Sequence, residues 1–149
     1  MGGFVVLSAV GHSPPPKLDR AAAHRPSVLV RRTRLGRILV TTQGRTLYLF
    51  LEDPGRRSSC FGGCARVWPP VLVSGRPRAG PGVDPKKLTT TRRRHSTRRQ
   101  LVYAGHPLYT TVADERAGQT EGQGFLGTWF VIGPSGRQIG KASKSDGGY

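Results

Sequence analysis

Residues Gly44–Pro70 read GRTLYLFLEDPGRRSSCFGGCARVWPP and determine how the rest of the chain is interpreted. The stretch begins with residues that favour β structure, which predicts a strand over Thr46–Leu51. Asp53-Pro54-Gly55 then predicts a turn, because proline presets φ at the second turn position and glycine permits a positive φ at the next. The segment that follows has room for one helical turn before Pro69-Pro70 ends it.

The features of this stretch recur further along the chain at one offset, 61 residues, without a gap. The offset aligns Tyr48 with Tyr109, Asp53 with Asp114, and Trp68 with Trp129, the last two being both tryptophans of the chain. Chance rarely aligns so many uncommon residues, so we infer a duplication. Because repeat units seldom bury their apolar faces alone, the paired tyrosines and tryptophans are predicted to share one core.

Composition favours short strands and turns over long helices. The 149 residues include 21 Gly and 12 Pro, and 36% are hydrophobic. We predict an all-β protein of two tandem β-hairpin-based repeats packed on a shared small core. The predicted organisation is a flexible, mostly disordered basic leader over residues 1–34, a first repeat over 35–85, a second repeat over 86–137 and a polar tail over 138–149.

Charge is strongly unbalanced: 24 Lys and Arg against 8 acidic residues give a formal net charge of +16. Such a charge attracts polyanions, although scattered arginines also form ordinary solvated surfaces. The densest cluster joins two predicted strands, Leu88–Thr91 and Gln100–Tyr103. It contains Arg92, Arg93, Arg94, Arg98 and Arg99. We predict a polyanion contact there, with a solvated hairpin tip as the alternative. Nucleic acid is a less expected partner, because no stacking aromatics interleave with these arginines.

The N-terminus bears on export. Phe4–Val10 has about the length of a minimal signal-peptide apolar region but lacks a preceding Lys or Arg, which predicts a truncated or incomplete export signal. No apolar run approaches the roughly 18 residues of a membrane-spanning helix, so no transmembrane span is expected.

The chain has two cysteines, Cys60 and Cys64, separated by Phe61-Gly62-Gly63. In an exported protein this pair forms a disulfide, whereas in the cytosol it stays reduced or binds metal. The metal alternative is a soft ion such as Cu(I), with His106 completing the ligands, because His106 lies beside a repeated strand. No histidine has zinc-finger spacing to the cysteines.

Asp53 and Asp114 are the candidate acid–base pair, but symmetric copies of a turn residue offer no reason for the divergent pKa values that such chemistry needs. Each is predicted instead to end a strand by accepting backbone N–H bonds. We therefore expect no enzymatic activity and no cofactor.

Several motifs together carry a resemblance to a bacterial envelope family. Tyr48-Leu49-Phe50-Leu51-Glu52-Asp53 places Phe50 two residues after the tyrosine, and Tyr109–Asp114 keeps the tyrosine and aspartate without that aromatic. With the flanking Cys60–Pro70 and Val102–Tyr109 segments, the chain resembles the secreted repeat of unknown function. This family is also described as a predicted lipoprotein repeat with a Tyr–four residues–Asp motif.

The resemblance implies an exported or lipid-anchored β-rich domain of the cell envelope, mainly bacterial and common in actinobacteria, with no established catalytic residues. An oxidising compartment favours the Cys60–Cys64 disulfide. The expected role is binding or structural, with anionic envelope polymer or lipid headgroups as partners. A metal or thiol-redox module and a basic nucleic-acid binder are the alternatives. The chain departs from the family in lacking an early lipid-accepting cysteine and in carrying Arg94-His95-Ser96 where members often have an Asp-Gly turn.

Overall fold

The computed structural model describes residues 2–3, 11 and 26–140. Its strands are β1 (Val28–Thr33), β2 (Gly36–Thr41), β3 (Tyr48–Phe50), β4 (Leu72–Val73), β5 (Leu88–Thr91), β6 (Arg99–Tyr103), β7 (His106–Pro107) and β8 (Trp129–Val131). Within these described residues one helix, α1, covers Gly63–Val67, and a 3-10 turn covers Phe125–Gly127. The predicted all-β class is confirmed.

Two antiparallel hairpins stand at equivalent places in the two repeats. β1 pairs with β2, and β5 pairs with β6 across the basic link, as the sequence predicts for the second hairpin. β6 also pairs with β4 and β7, which makes a four-stranded sheet. The apolar run Ile38–Val40 and the strand predicted over Thr46–Leu51, with Gln43-Gly44 between them, also predict a hairpin. In the structure these segments meet at one bridge, Val40 with Thr46, and Leu47 N–H donates to Leu39 O at 3.0 Å, while β3 itself pairs with β8.

The folded part begins earlier than predicted. The predicted leader includes residues 28–33, yet Val28–Thr33 form β1. Val28, Leu29 and Val30 pair with β2, and Val28 is fully buried. The export-signal prediction at Phe4–Val10 lies outside the described residues. At the other end, Ile139 N–H donates to Val131 O at 2.7 Å, so the predicted polar tail starts with residues packed on β8. Residues 141–149 lie outside the described part.

The two repeats exchange strands at the centre of the molecule. Tyr48 N–H donates to Tyr109 O at 2.8 Å, and Tyr109 N–H donates to Tyr48 O at 3.0 Å. On one side β3 pairs with β8; on the other, Thr110 N–H donates to Pro69 O at 3.0 Å. Each tyrosine segment therefore lies between the tyrosine and tryptophan segments of the other repeat. The repeats interlock, and neither completes its hydrogen bonds alone.

The aromatic part of the core follows the same approximate two-fold symmetry. Trp68 and Trp129 stack with ring centroids 4.0 Å apart. Tyr48 meets Trp68 edge-on at 5.2 Å, and Tyr109 meets Trp129 edge-on at 5.0 Å. Phe50 extends the stack on the Trp129 side, with centroids 4.1 Å apart. These contacts form the shared core that the repeat predicted.

A second buried cluster is aliphatic and also draws on both repeats. Leu39, Leu47 and Leu49 come from the first, and Leu101 and Leu108 come from the second. Within the part of the chain that the structure describes, no helix has the length and apolar character to cross a bilayer.

Candidate functional site

The family motif forms two crossed tyrosine–aspartate pairs. Tyr48 Oη donates to Asp114 Oδ2 at 2.6 Å, and Tyr109 Oη donates to Asp53 Oδ2 at 2.7 Å. Each tyrosine therefore binds the aspartate of the other repeat. Sequence reasoning found the four residues but missed this pairing, because only the exchange of strands brings the partners together.

The second carboxylate oxygen of each aspartate holds a loop. Asp53 Oδ1 accepts from Ser59 N–H at 2.7 Å, and Asp114 Oδ1 accepts from Glu121 N–H at 2.8 Å. The backbone-acceptor role predicted for both aspartates is therefore present, with a tyrosine partner in addition. Both oxygens of each carboxylate are engaged, so the arrangement is suited to holding the fold together.

Burial governs ionisation in these pairs. It raises the pKa of Tyr48, and the hydrogen bond to Asp114 raises that pKa further. Burial likewise raises the pKa of Asp114, while the Tyr48 hydroxyl acts in the opposite direction. Tyr109 behaves as Tyr48 does: burial raises its pKa, and its bond to Asp53 adds to the effect. Both tyrosines are thus held as neutral hydrogen-bond donors.

Cys60 and Cys64 form a disulfide, as predicted, with Cα atoms 5.3 Å apart. Cys60 is fully buried, and the turn between the cysteines carries Phe61, which is 37% exposed. The alternative prediction makes these cysteines and His106 metal ligands. Burial lowers the pKa of His106. Among the residues that the structure describes, no three His, Cys, Asp or Glu side chains are arranged to hold a metal ion.

Arg93 points inward from the basic link and is bound on several sides. Its Nη1 donates to Ser58 Oγ at 2.7 Å and to Gln100 Oε1 at 3.1 Å, and its Nη2 donates to Cys60 O at 2.5 Å. The guanidinium carbon lies 4.5 Å from the centre of the Phe61 ring. Burial lowers the Arg93 pKa. Arg93 therefore ties the basic link to the disulfide turn.

The other four predicted contact residues are exposed, but they do not all lie together. Arg98 Nη2 donates to Leu72 O at 3.0 Å, towards β4. Arg99 lies along β5, where its Nε donates to Thr90 Oγ1 at 2.6 Å and its Nη2 to Thr90 O at 3.1 Å. Arg92 and Arg94 are exposed on the link itself.

An arginine cleft of about 740 Å³ lies between the loop after Asp53 and the basic link. It is lined by Pro54, Arg56, Arg57, Ser58, Phe61, Thr90, Thr91, Arg92, Arg93, Arg94 and Arg99. Six arginines line it, and no carboxylate does among the residues described. Sequence reasoning considered only the densest basic run, so it missed Arg56 and Arg57. The signal that could have found them is the Arg56-Arg57 pair itself, which is separated from Cys60 by two residues.

The equivalent place in the second repeat is built differently. Ala117 and Gly118 stand at the offset positions of Arg56 and Arg57. Gly118 lies beneath Arg31, because a Cβ added at Gly118 would be 2.9 Å from the Arg31 guanidinium carbon. The loop of the first repeat thus carries an arginine pair that the second repeat lacks. This part of the cleft lining therefore differs between the two repeats.

Comparison with known proteins identifies a family for this chain. No curated protein and no solved structure matches the chain. The family model described as "secreted repeat of unknown function" matches twice, over residues 30–72 and 90–132. Each match begins within the first strand of a hairpin and contains one motif tyrosine, and the strand exchange links the two matched regions. The chain belongs to the family of secreted repeats of unknown function, of which it contains two copies.

Proposed function

We propose that this protein is a non-enzymatic binding protein of the cell envelope that takes phosphate- or carboxylate-bearing ligands in the arginine cleft. The observation that carries the proposal is the cleft itself: a concave surface of about 740 Å³ lined by six arginines from two separate segments. Guanidinium groups crowded together repel one another, and an anion that bridges them relieves that repulsion.

The arginines of the cleft differ in how firmly they are held. Arg93 is held by Ser58, Cys60 and Phe61, which makes it a rigid wall. Arg56, Arg57, Arg92 and Arg94 line the cleft and are exposed to solvent. Guanidinium groups bind phosphate and carboxylate through paired N–H bonds, so several of them around one cleft favour a multiply charged ligand.

The family membership supports a place outside the cytoplasm, since the family is described as secreted. Ligands there include anionic wall polymers and lipid headgroups, which share the phosphate or carboxylate chemistry that the cleft fits. The engagement of Asp53 and Asp114 in tyrosine bonds supports a binding role over a catalytic one.

The test is calorimetric titration of the full oxidised chain with tripolyphosphate. The cleft variant carries Arg56→Gln, Arg57→Gln, Arg92→Gln and Arg94→Gln. The control variant carries Arg32→Gln, Arg34→Gln, Arg116→Gln and Arg137→Gln, which are exposed arginines outside the cleft. We expect the cleft variant to lose binding and the control to keep it. Equal losses in both variants would show that only net charge matters and would overturn the proposal.

Further assays distinguish lipid from polymer as the source of the anion, and test the nucleic-acid and metal alternatives. Vesicles containing phosphatidylglycerol report lipid binding, and duplex DNA reports the nucleic-acid alternative. A dependence on the cleft arginines that appears with DNA alone would favour that alternative. Stoichiometric copper or zinc in protein from the native host would favour the metal alternative at Cys60 and Cys64.

A further inference from the structure

The arginine cleft adjoins two more depressions. The second, of about 440 Å³, shares Thr90 and Arg99 with the cleft. It is lined by Gly75, Arg76, Pro77, Ala79, Pro85, Leu88, Thr89, Thr90 and Arg99. The third, also about 440 Å³, shares Arg76, Pro77, Ala79 and Pro85 with the second and adds Arg78 and Val83. Because each depression shares lining residues with the next, the three lie side by side.

Arg99 stands where the cleft meets the second depression. Its two hydrogen bonds to Thr90 lay the side chain along β5 and fix the guanidinium between the two spaces. A ligand that leaves the cleft along β5 therefore passes a positioned cation before it reaches Arg76.

The far end of the groove is held in place by the backbone. Ser27 N–H donates to Arg78 O at 2.8 Å, Arg78 N–H donates to Ser27 Oγ at 3.1 Å, and Gly80 N–H donates to Val28 O at 2.9 Å. The segment that carries Arg76 and Arg78 is thereby fixed to the start of β1, and both side chains are exposed.

The charge along the groove has one sign. No carboxylate lines the second or third depression among the residues described. Asp84 is the neighbour in sequence of the lining residues Val83 and Pro85, and its Oδ1 accepts from Lys86 N–H at 2.9 Å. Pro77, Ala79 and Pro85, whose side chains are small or rigid, line both of these depressions.

We propose that these depressions form one linear basic groove, from Arg57 through Arg99 to Arg78, whose ligand is a flexible linear polyanion. This inference rests on the proposed function and names the ligand class for the same site. A polymer with charges spaced along its length contacts successive arginines and releases counterions at each. A lipid headgroup in a bilayer presents its charge at a flat surface, whereas this groove is concave and follows β5.

The experiment compares a short and a long probe of the same chemistry on the full oxidised chain. Tripolyphosphate is the short probe, and long-chain polyphosphate, counted per phosphate, is the long one. The distal variant carries Arg76→Gln and Arg78→Gln, and its control carries Arg32→Gln and Arg34→Gln. We expect the distal variant to bind tripolyphosphate as the wild type does. For the long probe, the slope of log K against log salt should fall by about two, roughly one per lost arginine.

The outcomes separate the two proposals. In one outcome, tripolyphosphate binding depends on the cleft arginines, but the distal variant keeps the wild-type affinity and salt slope for the long probe. That result would overturn the linear-groove inference and leave the proposed cleft function standing. Failure of both probes to bind would overturn both. Phosphatidylglycerol vesicles that bind more tightly per accessible phosphate than the long probe, with no loss in the distal variant, would assign the site to lipid and overturn the linear-polymer inference.

Discussion

Tyr48 donates its phenolic hydrogen to Asp114, in the other repeat, and leaves Asp53 of its own motif to Tyr109. Because Tyr48 and Tyr109 also exchange backbone hydrogen bonds, the motif acts at the centre of the interlocked repeats. The tyrosine and aspartate of one repeat therefore find their hydrogen-bond partners only in the other repeat. This relationship explains why the motif holds a duplicated chain together.

The crossed pairing is testable with a double-mutant cycle. Tyr48→Phe leaves Asp114 Oδ2 without its donor, while Asp114 Oδ1 still accepts from Glu121 N–H. We therefore expect a loss of about 1.5–3 kcal/mol in the free energy of unfolding, the range for hydrogen bonds to charged groups. Tyr48→Phe and Asp114→Ala should be strongly non-additive, whereas Tyr48→Phe and Asp53→Ala should add to within about 0.5 kcal/mol. Denaturant unfolding measures all of these. Coupling of Tyr48 to Asp53 and not to Asp114 would contradict the crossed arrangement.

Alkaline pH should destabilise the protein. Burial raises the pKa of Tyr48, Tyr103 and Tyr109 in the folded state, so the folded chain keeps protons that the unfolded chain loses near pH of about 10. The stabilising contribution is therefore complete below that pH and is lost as the pH rises above it. In a pH titration, tyrosinate absorbance should appear at higher pH in native protein than in protein unfolded by denaturant. Coincident titration curves would contradict the prediction.

Several elements could be predicted because their signal is local or repeated. The β5–β6 hairpin, the Cys60–Cys64 disulfide and the pairing of Trp68 with Trp129 follow from β-favouring runs, cysteine spacing and the offset between repeats. The crossing of Tyr48 to Asp114 could not be predicted, because alternation along a strand does not name the partner strand. The pairing depends on contacts between residues that lie far apart in the chain.

The candidate site was predicted less completely than the fold. The basic link was found, but the inward turn of Arg93 depends on Ser58 and Cys60, which lie more than thirty residues earlier and meet it only in the folded state. The same folding brings Arg56 and Arg57 to face the link. Charge density in the sequence locates a basic segment, whereas the walls of a cleft come from tertiary contacts.

Gly122 should not tolerate a side chain. A Cβ there would lie 2.5 Å from Trp68 Cη2 and 3.0 Å from Tyr48 Cε1, so Gly122→Ala forces the aromatic core apart. We expect a loss of about 1–3 kcal/mol in the free energy of unfolding, as for overpacked cores. Gly63→Ala is the matched control, because nothing lies within 4 Å of its added Cβ. Equal stability of the two variants in thermal unfolding would contradict this packing.

The disulfide should contribute measurably in spite of its small loop. Closing so short a loop restricts the unfolded chain and contributes about 2 kcal/mol on chain-entropy grounds. Reduction should therefore lower the free energy of unfolding by about that amount, and Cys60→Ala with Cys64→Ala should do so without reductant. Denaturant unfolding of oxidised, reduced and doubly substituted protein provides the comparison. An unchanged midpoint on reduction would mean that the bridge does not constrain the unfolded state.

Arg93→Lys should lower stability although it preserves charge. A lysine ammonium cannot reproduce the planar fork that reaches Ser58 Oγ and Cys60 O while lying against Phe61. Because Tyr109 Oη lies 2.7 Å from Ser58 Oγ, the loss also reaches the Tyr109–Asp53 pair. We expect a decrease of about 1–3 kcal/mol in the free energy of unfolding. Arg92→Lys, on the exposed part of the link, should change stability by less than about 0.5 kcal/mol. Similar values for the two variants in denaturant unfolding would show that Arg93 acts by charge alone.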